Sequence, residues 1–106
     1  MYQQYDNFDD NGFAWFANFQ TARPGDALFD KGLKRYASLV DTFDKDMENG
    51  ELPAVSWIIA PADLSEHASH HPAAGEDLTA RILNKLKAHP EVYEKTAFIL
   101  NYDEGR

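Results

Sequence analysis

The chain has 106 residues, a length for one domain at most. Its hydrophobic fraction of 43% and aromatic fraction of 13% belong to a folding chain, not a disordered one. A net charge of -8 leaves no basic face for a nucleic-acid backbone or for simple docking on anionic lipid, and the lack of cysteine excludes disulfides and thiolate metal sites. A lipid head group held in a pocket, or a metal-bridged phosphate, stays open.

The first residues, Met1-Tyr2-Gln3-Gln4, carry neither the charged region nor the apolar region of a signal peptide. Asp6-Asn7-Phe8-Asp9-Asp10-Asn11-Gly12 has the look of a calcium loop but not its ligand order, and no helix precedes it. Asp10 and Asn11 instead suit the cap of a short helix bearing Phe13, Phe16 and Phe19; Tyr5 and Asp6 remain candidates to line a site. Residues 21–26 read as a turn. Leu33, Tyr36, Val40, Phe43 and Met47 then alternate steps of three and four, which predicts one helix ending near Gly50. The acids Asp41, Asp44, Asp46 and Glu48 fall on its solvated side.

Val55 to Ala60, bounded by Pro53 and Pro61, reads as a buried strand and is far too short to span a bilayer. A long loop to Gly75 follows, then a helix over Glu76–Ala88 carrying Leu78, Ile82, Leu83 and Leu86, then a single helical turn at Pro90. Thr96 to Tyr102 reads as a second strand. Strand, helix and strand in this order predict a right-handed crossover between two parallel strands. That topology sends the loop after the first strand and the residues after the second to the same sheet edge, where ligands of open α/β sheets bind.

Two groups of residues at that edge carry chemistry. Asp103 and Glu104 follow the second strand directly, and paired carboxylates offer hard oxygen ligands for a divalent cation. A solvated acidic turn is the plainer use of two adjacent acids. Glu66, His67, His70 and His71 form the other group, in Ser65-Glu66-His67-Ala68-Ser69-His70-His71-Pro72. His67 lies nearest the first strand and is the better candidate; His70 and His71 read as exposed loop residues. Neither the HExxH pattern nor GxSxG, P-loop or GxGxxG motifs occur.

Several segments resemble one family. Tyr2-Gln3-Gln4-Tyr5-Asp6-Asn7, Leu52 to Pro61, Ser65-Glu66-His67, Pro72 to Arg81, and above all Pro90 to Glu104 are similar to bacterial phosphatidylcholine-type phospholipases C, haemolytic and non-haemolytic, with acid-phosphatase relatives. The resemblance covers nearly the whole chain and is most specific in its second half. It implies a single partial domain over 1–106, a fragment of a layered α/β/α domain of the alkaline phosphatase type. It implies an enzyme, secreted or periplasmic, that hydrolyses phospholipids such as phosphatidylcholine to diacylglycerol and a phosphorylated head group. By position Asp103 and Glu104 match the paired acidic ligands of a divalent metal ion, His67 a catalytic phosphate-contacting histidine, and Glu66 a substrate contact beside it.

The family's early Glu-Asn metal pair and its nucleophile have no counterpart here and are expected upstream of Met1. The usual Gly-Phe-Phe-Asp-His continuation is replaced by Gly105-Arg106, and Ala68 stands where a proline often follows the histidine. The chain alone is therefore expected to be inactive, and to expose apolar surface through which it can self-associate. An acid phosphatase acting on monoesters, a non-catalytic metal- or protein-binding domain, and a folding remnant are the competing readings.

Overall fold

Two amphipathic helices supply most of the buried surface. The computed structural model describes the backbone of residues 2–3 and residues 10–103 in full. In chain order its elements are β1 (Tyr2–Gln3), a 3-10 turn (Gly12–Trp15), α1 (Ala17–Gln20), α2 (Ala27–Gly32), α3 (Leu39–Glu48), β2 (Ile58–Ile59), a second 3-10 turn (Ala62–Leu64), α4 (Pro72–Lys87) and α5 (Pro90–Tyr93).

Val40, Phe43 and Met47 of α3 face Leu78, Ile82 and Leu86 of α4 across one buried seam. Each such side chain contributes about 1.5–3 kcal/mol on leaving water. Leu52, Ile58, Ala60, Leu64 and Val92 pack around the seam, so β2 and the turn after it are held by the helices rather than by a broad sheet. Ser38 caps α3, its Oγ accepting from the Asp41 amide at 3.2 Å. Gly50, with φ of 68°, lets the chain turn away after it. Asp44, expected on the solvated side with the other acids, instead ties the pair together. Its carboxylate accepts from Lys85 Nζ at 2.6 Å and from His89 Nε2 at 2.9 Å.

The amino-terminal part makes a second, smaller nest. Asn11 Oδ1 accepts from the Phe13 amide at 3.1 Å, the expected cap, while its Nδ2 donates to the Gly32 carbonyl at 2.9 Å. Phe13 and Phe19 stack with ring centres 4.8 Å apart. A Cβ at Gly32 would run into the Phe19 ring and crowd that of Phe13, so glycine there lets α2 close against them.

Four expectations need correction. The short helix expected to bear Phe13, Phe16 and Phe19 is split into the first 3-10 turn and α1, with Phe16 extended between them. The run from Leu33 to Met47 is not one helix: α2 ends at Gly32, and Ser38 starts α3 afresh because its side chain satisfies the new helix's amides. The helix expected over Glu76–Ala88 begins earlier, at Pro72, with His71 as its cap. The larger correction concerns the sheet. Only Ile58–Ile59 of the Val55–Ala60 stretch is strand, and it pairs in parallel with Tyr2–Gln3 in the register Tyr2↔Ile58, Gln3↔Ile59.

Thr96 to Tyr102 is irregular rather than strand. A run this apolar becomes a strand when neighbours on both sides take its hydrogen bonds and its side chains. Here Ile99 is 82% exposed, and Phe98, Leu100 and Tyr102 are exposed as well. The described chain is thus mostly helical, with one two-residue parallel pair in place of the two expected long strands. Among the described residues no helix is long and apolar enough to cross a membrane.

Candidate active-site edge

The residues after β2 are set by local hydrogen bonds. Pro61 is buried and opens the turn Ala62–Leu64, whose Leu64 packs on the helix seam. Ser65 Oγ donates to the Ala62 carbonyl at 2.8 Å and accepts from the His67 amide at 3.3 Å. The chain then folds back, the His70 amide donating to the His67 carbonyl at 2.8 Å.

Ser69 sits between two imidazoles. Its Oγ is 2.9 Å from His67 Nδ1 and 3.0 Å from His70 Nδ1, and its amide donates to His67 Nδ1 at 3.4 Å. A backbone N–H can only donate, so His67 Nδ1 is an acceptor and the neutral ring carries its proton on Nε2. One consistent arrangement follows: His70 Nδ1–H donates to Ser69 Oγ, whose hydroxyl donates to His67 Nδ1. His71, expected to be an exposed loop residue, is exposed but has a structural use. Its Nδ1 accepts from the Ala73 amide at 3.2 Å and caps α4. Pro72 at the first helical position was the sequence signal that the preceding residue is a cap.

Glu66 is brought to the other half of the site. Its Oε2 accepts from the Tyr102 hydroxyl at 2.8 Å, across 36 positions of sequence. Its side chain lies on Gly75 in the first turns of α4, where a Cβ would collide with Glu66 Cγ and stand 3.0 Å from Oε1. The bond to the carboxylate is the main reason the Tyr102 phenol is held above its ordinary pKa, with desolvation and the charges of Glu66 and Glu76 adding. No sequence signal pointed to Tyr102 or Gly75.

The two chain segments meet through one side-chain bond, and not at the shared sheet edge expected of two parallel strands. The bond joins Glu66 and Tyr102, the immediate neighbours of His67 and Asp103. Asp103 is exposed directly after Tyr102. Glu104, Tyr5 and Asp6 lie outside the described residues. Carboxylate donors suit a hard divalent cation, but among the described residues no three His, Asp or Glu side chains stand together to hold one. Asp103 alone does not make such a site. An apolar cleft lined by Phe13, Phe19, Ala27, Leu28, Lys31 and Gly32 contains none of these residues.

The model of the phosphoesterase family matches residues 1–106, the full chain. The chain belongs to the phosphoesterase family. Among curated relatives, the hemolytic phospholipase C of Pseudomonas aeruginosa is 43% identical over 97% of the chain and 14% of that protein. The non-hemolytic phospholipase C of Burkholderia pseudomallei is 36% identical over 93% of the chain and 15% of that protein. Phospholipase C B of Mycobacterium tuberculosis is 42% identical over 59% of the chain and 12% of that protein. The chain thus spans 14–15% of the length of the first two relatives. No solved structure matches it significantly. Within this family match, the described stretch is mostly helical with a single two-residue strand pair.

Proposed function

We propose that this chain is part of a metal-dependent phospholipase C, which hydrolyses a phospholipid on the glycerol side of its phosphodiester. The observation that carries the reading is the 43% identity to a hemolytic phospholipase C along 97% of the chain. It is supported by the Glu66–Tyr102 bond, which draws together the segments bearing His67 and Asp103.

Asp103 and Glu104 would hold a divalent cation, the remaining ligands and the nucleophile being supplied from elsewhere in the enzyme. Such an ion supplies charge for phosphate oxygens and lowers the pKa of a bound nucleophile. His67 donates its Nε2 proton to a phosphoryl oxygen as negative charge grows there, and Ser69 keeps Nδ1 in the acceptor state that this requires. Glu66 lies next to His67 in the same loop, its carboxylate bonded to Tyr102. Overall, water is added across the phosphorus–oxygen bond to glycerol. Diacylglycerol leaves with a proton, and the head group keeps the phosphate.

We place this segment in a layered α/β/α domain of the alkaline phosphatase type, a reading supported by the parallel strand pair, whose Ile58 packs on the α3–α4 seam. Export to the periplasm or medium goes with the same resemblance.

The test is product analysis with the enzyme that contains this segment. Phosphatidylcholine should give diacylglycerol and phosphocholine in a metal-dependent manner. Inorganic phosphate released from monoesters, with no diester cleavage, would instead establish an acid phosphatase.

A further inference from the structure

We propose that Tyr102 and Glu66 form a buckle that fixes the carboxylate segment against the histidine loop, with Gly75 as the notch in which the Glu66 stem rests. The proposal rests on the functional reading for its consequence, but the buckle itself stands on geometry alone. Three observations carry it. The Tyr102 hydroxyl donates to Glu66 Oε2 at 2.8 Å, linking residues 36 positions apart. Residues 96–101 carry no regular structure, so no strand pairing holds that stretch in place. The Glu66 side chain covers the one face of α4 from which a side chain is missing, where a Cβ at Gly75 would collide with it.

Each partner is the right group for this task. Glu66 is the residue before His67, and Tyr102 the residue before Asp103. Fixing the first pair of neighbours sets the approach of the second pair, through one peptide unit on either side. A phenol also donates a single proton in a single direction, so it defines a geometry that a lysine, with three rotating donors, does not. The carboxylate lies over the first turns of α4, where the helix dipole favours negative charge. Glu66 is in this account a positioning residue, not a group that binds the reacting phosphate. Tyr102 is a positioning residue for Asp103.

The absence of cysteine makes the test direct, because two introduced cysteines take spin labels with no background. Labels at the exposed positions Ala68→Cys and Asn101→Cys report the separation of the two segments in this same chain. The parent should give one narrow distance distribution. Tyr102→Phe, which removes only the hydroxyl, should at least double its width, and so should Glu66→Ala. Gly75→Ala should do the same with the hydroxyl intact, by displacing Glu66. Glu66→Gln should restore the narrow distribution, because its amide oxygen still accepts. Circular dichroism should show the same helix content in all five proteins.

A Tyr102→Phe distribution as narrow as the parent's would overturn the buckle. In the enzyme that contains the segment, Tyr102→Phe should weaken metal retention by about tenfold, the loss typical of one hydrogen bond in a charged pair. Broadening by the labels with unchanged metal retention would uphold the buckle and sink the assignment of Asp103 as a ligand.

Discussion

Gly75→Ala sets two effects against each other, and the structure gives the sign of each. Glycine inside a helix costs about 0.8–1 kcal/mol relative to alanine, because the unfolded chain loses more freedom. Substitution in α4 should therefore stabilise. The new Cβ, however, would occupy the place of Glu66 Cγ, with Oε1 at 3.0 Å and Cδ at 3.1 Å. All three of the closest atoms belong to one exposed, flexible side chain, so the clash is relieved when Glu66 swings out, and not by moving the helix.

The cost is then the loss of Glu66 packing and of its bond to Tyr102, which offsets most of the gain. In the Glu66→Ala background those three atoms are gone, and the propensity gain of about 1 kcal/mol should appear as a rise of ~4–8 °C in melting temperature for a domain of this size. In the parent background the shift should stay within about 2 °C, a coupling of the size expected for side chains in contact. The assay is thermal unfolding followed at 222 nm for the four proteins of the double-mutant cycle. Equal rises in both backgrounds would refute the notch.

The remaining predictions concern the core and its clamp. Leu86, 1% exposed between α3 and α4, should lose about 2–5 kcal/mol on change to alanine, while Ile99→Ala should leave urea unfolding unchanged; a small effect at Leu86 would mean the helix seam is not the core. Sedimentation should show self-association through the exposed Trp57, Ile99 and Leu100, reduced in an Ile99→Ser, Leu100→Ser variant; a parent that stays monomeric at all concentrations contradicts it. Asp44, hydrogen-bonded first by Lys85 and then by His89, has its pKa held below the ordinary value. Its contribution is thus full above about pH 4, the unfolded carboxylate range, and lost as pH falls through the lower folded value. The stability gap between the parent and Asp44→Asn should be open at pH 7 and close in acid; a gap independent of pH would show that the clamp is not ionic.

What was legible in the sequence divides along physical lines. The apolar faces of α3 and α4 were read correctly, since Val40, Phe43, Met47, Leu78, Ile82 and Leu86 recur at helical spacing and bury one another. Asn11 as a cap, Gly50 as a stop and Pro90 as the start of a single turn follow from local chemistry and are all found. The segment Thr96–Tyr102 was misread because an apolar, β-branched run states what it would do beside other strands, and supplies no strands itself. Ser38 was passed over because periodicity counts apolar positions and not the hydroxyl that interrupts them.

The candidate site shows the same division. His67 and Asp103 could be singled out by residue type and by resemblance, yet Tyr102 and Gly75 could not. Their part depends on a contact across 36 positions and on the absence of a side chain, neither of which leaves a local pattern.

The central claim is that this edge holds a metal through Asp103 and meets phosphate through His67, and the most direct measurement is metal content beside turnover in Asp103→Ala and His67→Ala forms of the enzyme containing the segment. Asp103→Ala should lose metal and activity together. His67→Ala should keep metal near the parent level while turnover falls by about 10²–10³, the usual loss of one donor aimed at a developing charge. His70→Ala should remain far more active than His67→Ala. Full activity in His67→Ala, or retention of both metal and turnover in Asp103→Ala, would contradict the account at that residue.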